Sequence, residues 1–225
     1  MFKKISLLTA GLLLSVSVFA NDLQGLIQKA ENGDIFYQML MAAYYEQKQD
    51  AVNEFYWAKK VAEQGDAFAQ NILGGMYYYG LGIPKDDAKA FEWYFKSANQ
   101  NNADAQNSLG AMYYNGHGVN QDYAKAFEWA TKSANQNNAD AQYSLGLMYA
   151  KGQGVSQDNT KALEWYTKSA NQGNAQAQNN LGVIYANGYG VRQDYNIAKE
   201  WYGKACNQNV QVSCDNLKEL NELGY

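Results

Sequence analysis

The chain is poor in the residues from which catalytic and nucleic-acid sites are built. Its 225 residues include one histidine (His117), one arginine (Arg192) and two cysteines (Cys206 and Cys214). A Ser-His-Asp or Cys-His arrangement would have to use that single imidazole. A zinc set cannot be assembled from one histidine and two cysteines without carboxylate help. There is no Walker glycine-lysine motif, no G-x-G-x-x-G after a strand and no calcium-loop pattern. The reading is therefore a non-enzyme with no catalytic residue, no cofactor and no metal. With one arginine and no basic run, the chain lacks the electrostatic footprint of nucleic-acid binding, and an anionic membrane surface is disfavoured for the same reason.

Long apolar runs are also missing beyond the first 20 residues, because charged or amide residues interrupt every later segment. The start is different. Met1-Phe2-Lys3-Lys4 leads into an apolar stretch from Ile5 to Val18, then Val18-Phe19-Ala20 precedes polar Asn21-Asp22. A charged start, an apolar centre and small residues before a polar one describe a secretory signal peptide over residues 1–20, cut after Ala20. The apolar run, about 15 residues, is short of the ~20 that a spanning helix needs. Asn21 rather than cysteine follows the cut, which argues against a lipoprotein anchor. An exported protein, periplasmic or secreted and without a membrane anchor, is expected. Loss of Lys3 and Lys4 leaves 16 basic residues against 22 acidic ones, a charge of about −6.

What the chain has in abundance is repetition. Trp57, Trp93, Trp129, Trp165 and Trp201 stand 36 residues apart, one to the next, and a fixed period of this size marks a stacked array. Ala103-Asp104-Ala105-Gln106 and Leu109-Gly110-Ala111-Met112-Tyr113 return as Ala139-Asp140-Ala141-Gln142 and Leu145-Gly146-Leu147-Met148-Tyr149. Apolar residues at spacings of three and four give a helix, A. It stops at paired glycines: Gly80/Gly82, Gly116/Gly118, Gly152/Gly154 and Gly188/Gly190. Asp86, Asp122, Asp158 and Asp194 then cap a second helix, B, which carries the tryptophan.

The boundaries follow. Residues 21–33 form a lead-in helix. Residues 34–65 are a degenerate unit that keeps Gln38, Trp57, Lys60 and Ala62 but lacks the double-glycine turn. Four full units occupy 66–101, 102–137, 138–173 and 174–209, and 210–225 is a capping helix with Leu217 in register.

The pattern A-x-A-Q-x-x-L-G-x-x-Y-x-x-G-x-G-V-x-x-D-x-x-K-A-x-x-W-x-x-K-S-A resembles the Sel-one-like repeat (SLR), an α/α solenoid related to tetratricopeptide repeats. The resemblance implies an all-α fold, a right-handed α/α superhelical solenoid of 36-residue helix-turn-helix repeats with helix A lining the concave face. It further implies an adaptor or scaffold that binds a protein or extended peptide, in bacteria often at or beyond the cell envelope. The alternative is an envelope enzyme or binder acting on peptidoglycan or β-lactams, since secreted cysteine-rich SLR proteins have been described as weak β-lactamases. This chain shares their export signal and one C-x7-C pair. It departs in having a single pair, and it lacks the Ser-x-x-Lys, Ser-Asp-Asn and Lys-Thr-Gly elements of serine β-lactamases.

In this frame His117 falls where other units carry Leu81, Gln153 and Tyr189, and reads as a plain loop residue. The tryptophans recur too strictly for a glycan-stacking platform and read as packing between repeats. Cys206 replaces the alanine at Ala98, Ala134 and Ala170, and Cys214 replaces the glutamine at Gln70, Gln106, Gln142 and Gln178. In an oxidising compartment this paired change suggests a disulfide, the alternative being two buried thiols. Positions that vary between units where core positions do not should form the binding groove: Asn71, Tyr78, Asn107, Tyr114, Tyr143 and Asn179. Amides can pair with an extended backbone, and tyrosines give broad contact at low entropic cost.

Overall fold

The computed structural model describes residues 23–224, and the expected signal peptide lies outside them. The described residues form twelve α-helices and no strand, an all-α repeat solenoid. Two compact units divide the chain. Met1–Asn120 holds α1 (Leu23–Glu31), α2 (Ile35–Gln47), α3 (Ala51–Glu63), α4 (Ala67–Tyr79), α5 (Asp87–Asn99) and α6 (Ala103–Asn115). Gln121–Tyr225 holds α7 (Tyr123–Asn135), α8 (Ala139–Lys151), α9 (Asn159–Asn171), α10 (Ala175–Asn187), α11 (Tyr195–Cys206) and α12 (Gln211–Glu222). From α2 onward, even-numbered helices are A and odd-numbered ones are B.

The helix ends follow from local chemistry. Asp86, Asp122, Asp158 and Asp194 cap the B helices, each side chain accepting a hydrogen bond from the backbone N–H three residues on. Asn102, Asn138 and Asn174 do the same for A helices. The two glycines of each turn have different tasks. The first ends helix A in the left-handed region, with φ of 71° at Gly80. The second lets the turn lie on the start of the preceding helix B. A Cβ on Gly82 would sit 2.1 Å from the Ala51 carbonyl oxygen, and one on Gly118 would sit 2.2 Å from that of Asp87. In the degenerate unit, Gln49 takes the positive φ instead.

Leu73, Leu109, Leu145 and Leu181 are sealed in the core with Met76, Met112 and Met148. The glycine after three of these four leucines admits an aromatic ring. Tyr94, Tyr166 and Tyr202 lie flat on Gly74, Gly146 and Gly182, where an added Cβ would meet ring carbon at 2.7, 2.5 and 2.4 Å. Burial pushes the phenols of Tyr94 and Tyr202 above their ordinary value, while bonds to Ser108 and Asn216 oppose the shift.

The A-x-A-Q glutamine closes each corner between a B helix and the next A helix. Gln38, Gln70, Gln106, Gln142 and Gln178 are all buried. Each donates through Nε2 to the carbonyl eight residues back: Ala30, Ala62, Ala98, Ala134 and Ala170, at 3.0–3.4 Å. A second glutamine, at the end of the following helix B, donates to the first one's Oε1. These pairs are Gln64–Gln38, Gln100–Gln70, Gln172–Gln142 and Gln208–Gln178, at 2.6–2.8 Å. The buried amide is thereby satisfied as donor and as acceptor. At the last corner Cys206 and Cys214, again eight residues apart, are joined by a disulfide.

The tryptophans are buried (Trp57, Trp129) or half-buried (Trp93, Trp165, Trp201). A lysine three residues on lies over four of the rings, its ammonium 3.9–4.0 Å from the centroid: Lys96, Lys132, Lys168 and Lys204. The apolar stem of each lysine covers ring surface while its charge stays in water.

Candidate functional site

Residues expected to line the groove occupy different environments, and each unit presents its own set. In the first unit Tyr78, Asn107 and Tyr114 are half-buried and Ala111 between them is exposed, as a binding face requires. Asn71 departs from the expectation. It is 0 % exposed, and neither its Oδ1 nor its Nδ2 has a hydrogen-bond partner. Its position matches Asn107 in the repeat, but its side chain is not on the surface.

In the second unit Tyr143, Leu147, Ala150, Asn179, Val183 and Ala186 are all half-buried. Tyr143 packs on the Tyr166 ring, centroids 5.9 Å apart. Asn179 accepts a 2.7 Å bond from the Ser213 hydroxyl of α12. The corresponding positions before Ser213 are alanines (Ala105, Ala141 and Ala177), so this tie belongs to the last repeat alone.

His117 is the residue sequence reasoning placed least well. It is half-buried rather than a bare loop side chain, with its Nδ1 2.8 Å from the Tyr78 hydroxyl. The two rings are tilted by 40° with centroids 5.8 Å apart. The Lys85 ammonium lies 5.2 Å from the Tyr78 ring centroid and pairs with Asp87 at 3.1 Å. In the second unit the residues corresponding to Lys85 are glutamines, Gln121, Gln157 and Gln193, of which the last two donate to the carbonyls of Ala150 and Ala186, the equivalents of Tyr78. Lys85 and His117 thus replace a repeated glutamine and a variable turn residue, and both meet Tyr78, whose position is tyrosine again at Tyr114 and alanine in the second unit. The available signal was that Lys85 and His117 are exceptions at their repeat positions.

Chemically, the first unit's face offers phenol, amide and imidazole groups beside one lysine-aspartate pair. Among the described residues no group of three or more His, Cys, Asp or Glu side chains could hold a metal ion, and no helix is long and apolar enough to cross a membrane.

No curated protein matches the chain. Solved structures do. A protective antigen present in uropathogenic Escherichia coli strains, displaying an SLR fold, is 36% identical with a TM-score of 0.83. The match covers 90% of this chain, which spans only 44% of the antigen. A Sel1 repeat protein from Oxalobacter formigenes is 28% identical with a TM-score of 0.80, over 96% of this chain and 92% of that one. An immunity protein from Pseudomonas aeruginosa, 23% identical over 76% of this chain and 67% of its own, shares the fold with a TM-score of 0.55. The Sel1 repeat family model matches residues 55–66, 67–102, 103–138, 139–174 and 175–210. With those five segments spanning most of its length, the chain belongs to the Sel1 repeat family.

Proposed function

We propose that the chain is an exported Sel1 repeat adaptor, not an enzyme, and that it binds an extended segment of another protein on the face formed by Tyr78, Asn107 and Tyr114. Sel1 repeat proteins commonly bind proteins, and the scaffold is compatible with that role. One observation carries the reading. Along the helix A surface the residues differ between the first and second units while Leu73, Leu109, Leu145 and Leu181 do not, and in the first unit Tyr78, Asn107 and Tyr114 reach solvent. The face contains no arginine, and the chain is acidic overall, so an uncharged or mildly basic segment fits it best. The disulfide supports an oxidising compartment, periplasmic or extracellular.

The test is a pull-down from envelope extract with protein beginning at Asn21, repeated with Asn107 and Tyr114 both changed to alanine. Partner capture should weaken at least about tenfold, roughly 1.4 kcal/mol, while helical content and melting stay close to wild type. Capture that survives this change but is lost when helix B surfaces are altered would overturn the proposal. N-terminal sequencing of protein recovered from the envelope should begin at Asn21; intact Met1 on most molecules would refute export by cleavage.

A further inference from the structure

The pairing of His117 with Tyr78 gives that face a chemical property of its own. A phenol hydroxyl is one donor and an acceptor, and a neutral imidazole nitrogen is a donor or an acceptor according to its tautomer. Phenol is the stronger donor of the two, because its oxygen lone pair is delocalised into the ring, whereas an unprotonated imidazole nitrogen is a strong acceptor. At 2.8 Å, with His117 neutral, the favoured arrangement has Tyr78 donating to Nδ1 and the ring proton on Nε2. Tyr78 then shows only its lone pairs to anything approaching from solvent. A doubly protonated imidazole must donate through Nδ1. The Tyr78 oxygen then accepts, and its hydrogen has to turn away from His117.

We propose that His117 is a positioning residue that sets the hydrogen-bond polarity of Tyr78, so that this face prefers a donor, such as a peptide N–H or an ammonium, when the imidazole is neutral, and an acceptor, such as a peptide carbonyl, when it is protonated. The inference rests on the reading that Tyr78 belongs to the binding face. The charged and titratable neighbours are few. Lys85 lies over the Tyr78 ring and is held by Asp87, and the His117 turn sits directly on the Asp87 backbone at Gly118. Tyr79 meets Tyr78 edge-on with centroids 4.9 Å apart. The buried Tyr94 hydroxyl also senses Tyr78 and Tyr79. Within the cluster only the imidazole has both a neutral form with one ring acceptor and a cationic form with two ring donors.

Because His117 is the chain's one histidine, labelling histidine with nitrogen-15 gives a single pair of ring signals in the whole protein. At the alkaline end of a pH series the long-range proton-nitrogen spectrum should show the proton on Nε2 and a bare Nδ1, and at the acid end a proton on both. Tyr78→Phe should return the ring toward mixed tautomers. A proton on Nδ1 at the higher pH, or a spectrum indifferent to Tyr78→Phe, overturns the proposal whatever the protein binds. The second arm probes an array of blocked nonapeptides with wild type and with His117→Asn, whose amide offers Tyr78 the same donor and acceptor at both pH values. Retained peptides should change in affinity by about threefold or more between the two pH values for wild type, the scale of one neutral hydrogen bond, and should not change for His117→Asn. Retention by wild type that ignores pH overturns the inference while leaving the binding face intact. An array that retains nothing overturns the binding face itself, and the inference with it.

Discussion

The interior corners of this solenoid and its last corner solve one geometric problem with different chemistry. At Ala62/Gln70 or Ala134/Gln142 a buried amide ties the end of helix B to the start of the next helix A, and a glutamine from the following helix B completes it. At Cys206/Cys214 the same two positions are tied by a covalent bond. One observation bears on the difference. The N-cap of α12 is Val210, which makes no side-chain cap bond, unlike that of every A helix before it. A corner without its cap gains most from a tie that does not depend on the helix start.

That account makes the disulfide the largest single contributor at its corner. Changing Cys206 and Cys214 together to alanine should lower stability by about 2–3 kcal/mol on the chain-entropy scale for so short a loop. The variant Cys206→Ala with Cys214→Gln, which restores the interior pair of residues, should recover no more than about 1 kcal/mol, the worth of one hydrogen bond. Urea unfolding of the three proteins decides it. Full recovery by the glutamine variant would show that the last corner never needed a covalent tie.

Interior corners should depend on the amide in turn. Gln142→Leu keeps the volume but removes one donor to the Ala134 carbonyl, which keeps the Asn137 N–H at 3.0 Å, and one acceptor of Gln172, which keeps the Asn137 Oδ1 at 3.2 Å. We expect a loss of about 1 kcal/mol, the net worth of a hydrogen bond whose partners keep a second one. Asn71→Leu should have the opposite sign. Asn71 is equally buried, but its amide has no partner to strand, so an apolar residue of similar shape should leave stability unchanged or raise it by about 1 kcal/mol. Two amide-to-leucine changes of opposite sign, read by thermal melting of the same protein, would show that satisfaction rather than polarity decides. Equal losses would refute that.

This contrast also marks what the sequence makes legible. The period, the two helices, the Asp caps, the double-glycine turns and the Cys206–Cys214 bond all sit at positions whose meaning is set by comparison with their repeats. Gln70, Gln142 and Gln178 are visible as a motif, but their partners lie 8 residues back and 30 residues on, in other elements. The fate of Asn71 is not readable from its identity with Asn107, because burial depends on what surrounds each copy. The Tyr78–His117 bond joins a tyrosine that recurs at Tyr114 to the chain's one histidine, 39 residues apart, so no second copy of the pairing can reveal it. Repetition reveals what is shared, whereas a binding face is made of what is not shared.

The first corner gives the smallest and most condition-dependent test. There α1 is braced by Glu31, whose carboxylate accepts from the Tyr56 hydroxyl at 2.8 Å and from Lys60 at 3.0 Å. Those two bonds, Lys60 first, lower the Glu31 carboxyl below its ordinary 4.5, and the bond to Glu31 raises the Lys60 ammonium above its ordinary 10.5. The carboxylate's contribution is complete above pH 4.5 and is lost as pH falls through the lowered folded value. The ammonium's contribution is complete below 10.5 and is lost as pH rises through the raised one. The wild-type advantage over Glu31→Gln should therefore form a plateau between these limits and shrink toward both ends. Its height should be a few tenths of a kcal/mol, because both side chains are substantially exposed, and added salt should reduce it further. Melting temperatures of the two proteins across pH, at low and high salt, measure it. An advantage that stays constant below the carboxylate range and ignores salt would mean that Glu31 supports the corner through packing alone. Of the three kinds of corner, only this one should respond to both pH and salt.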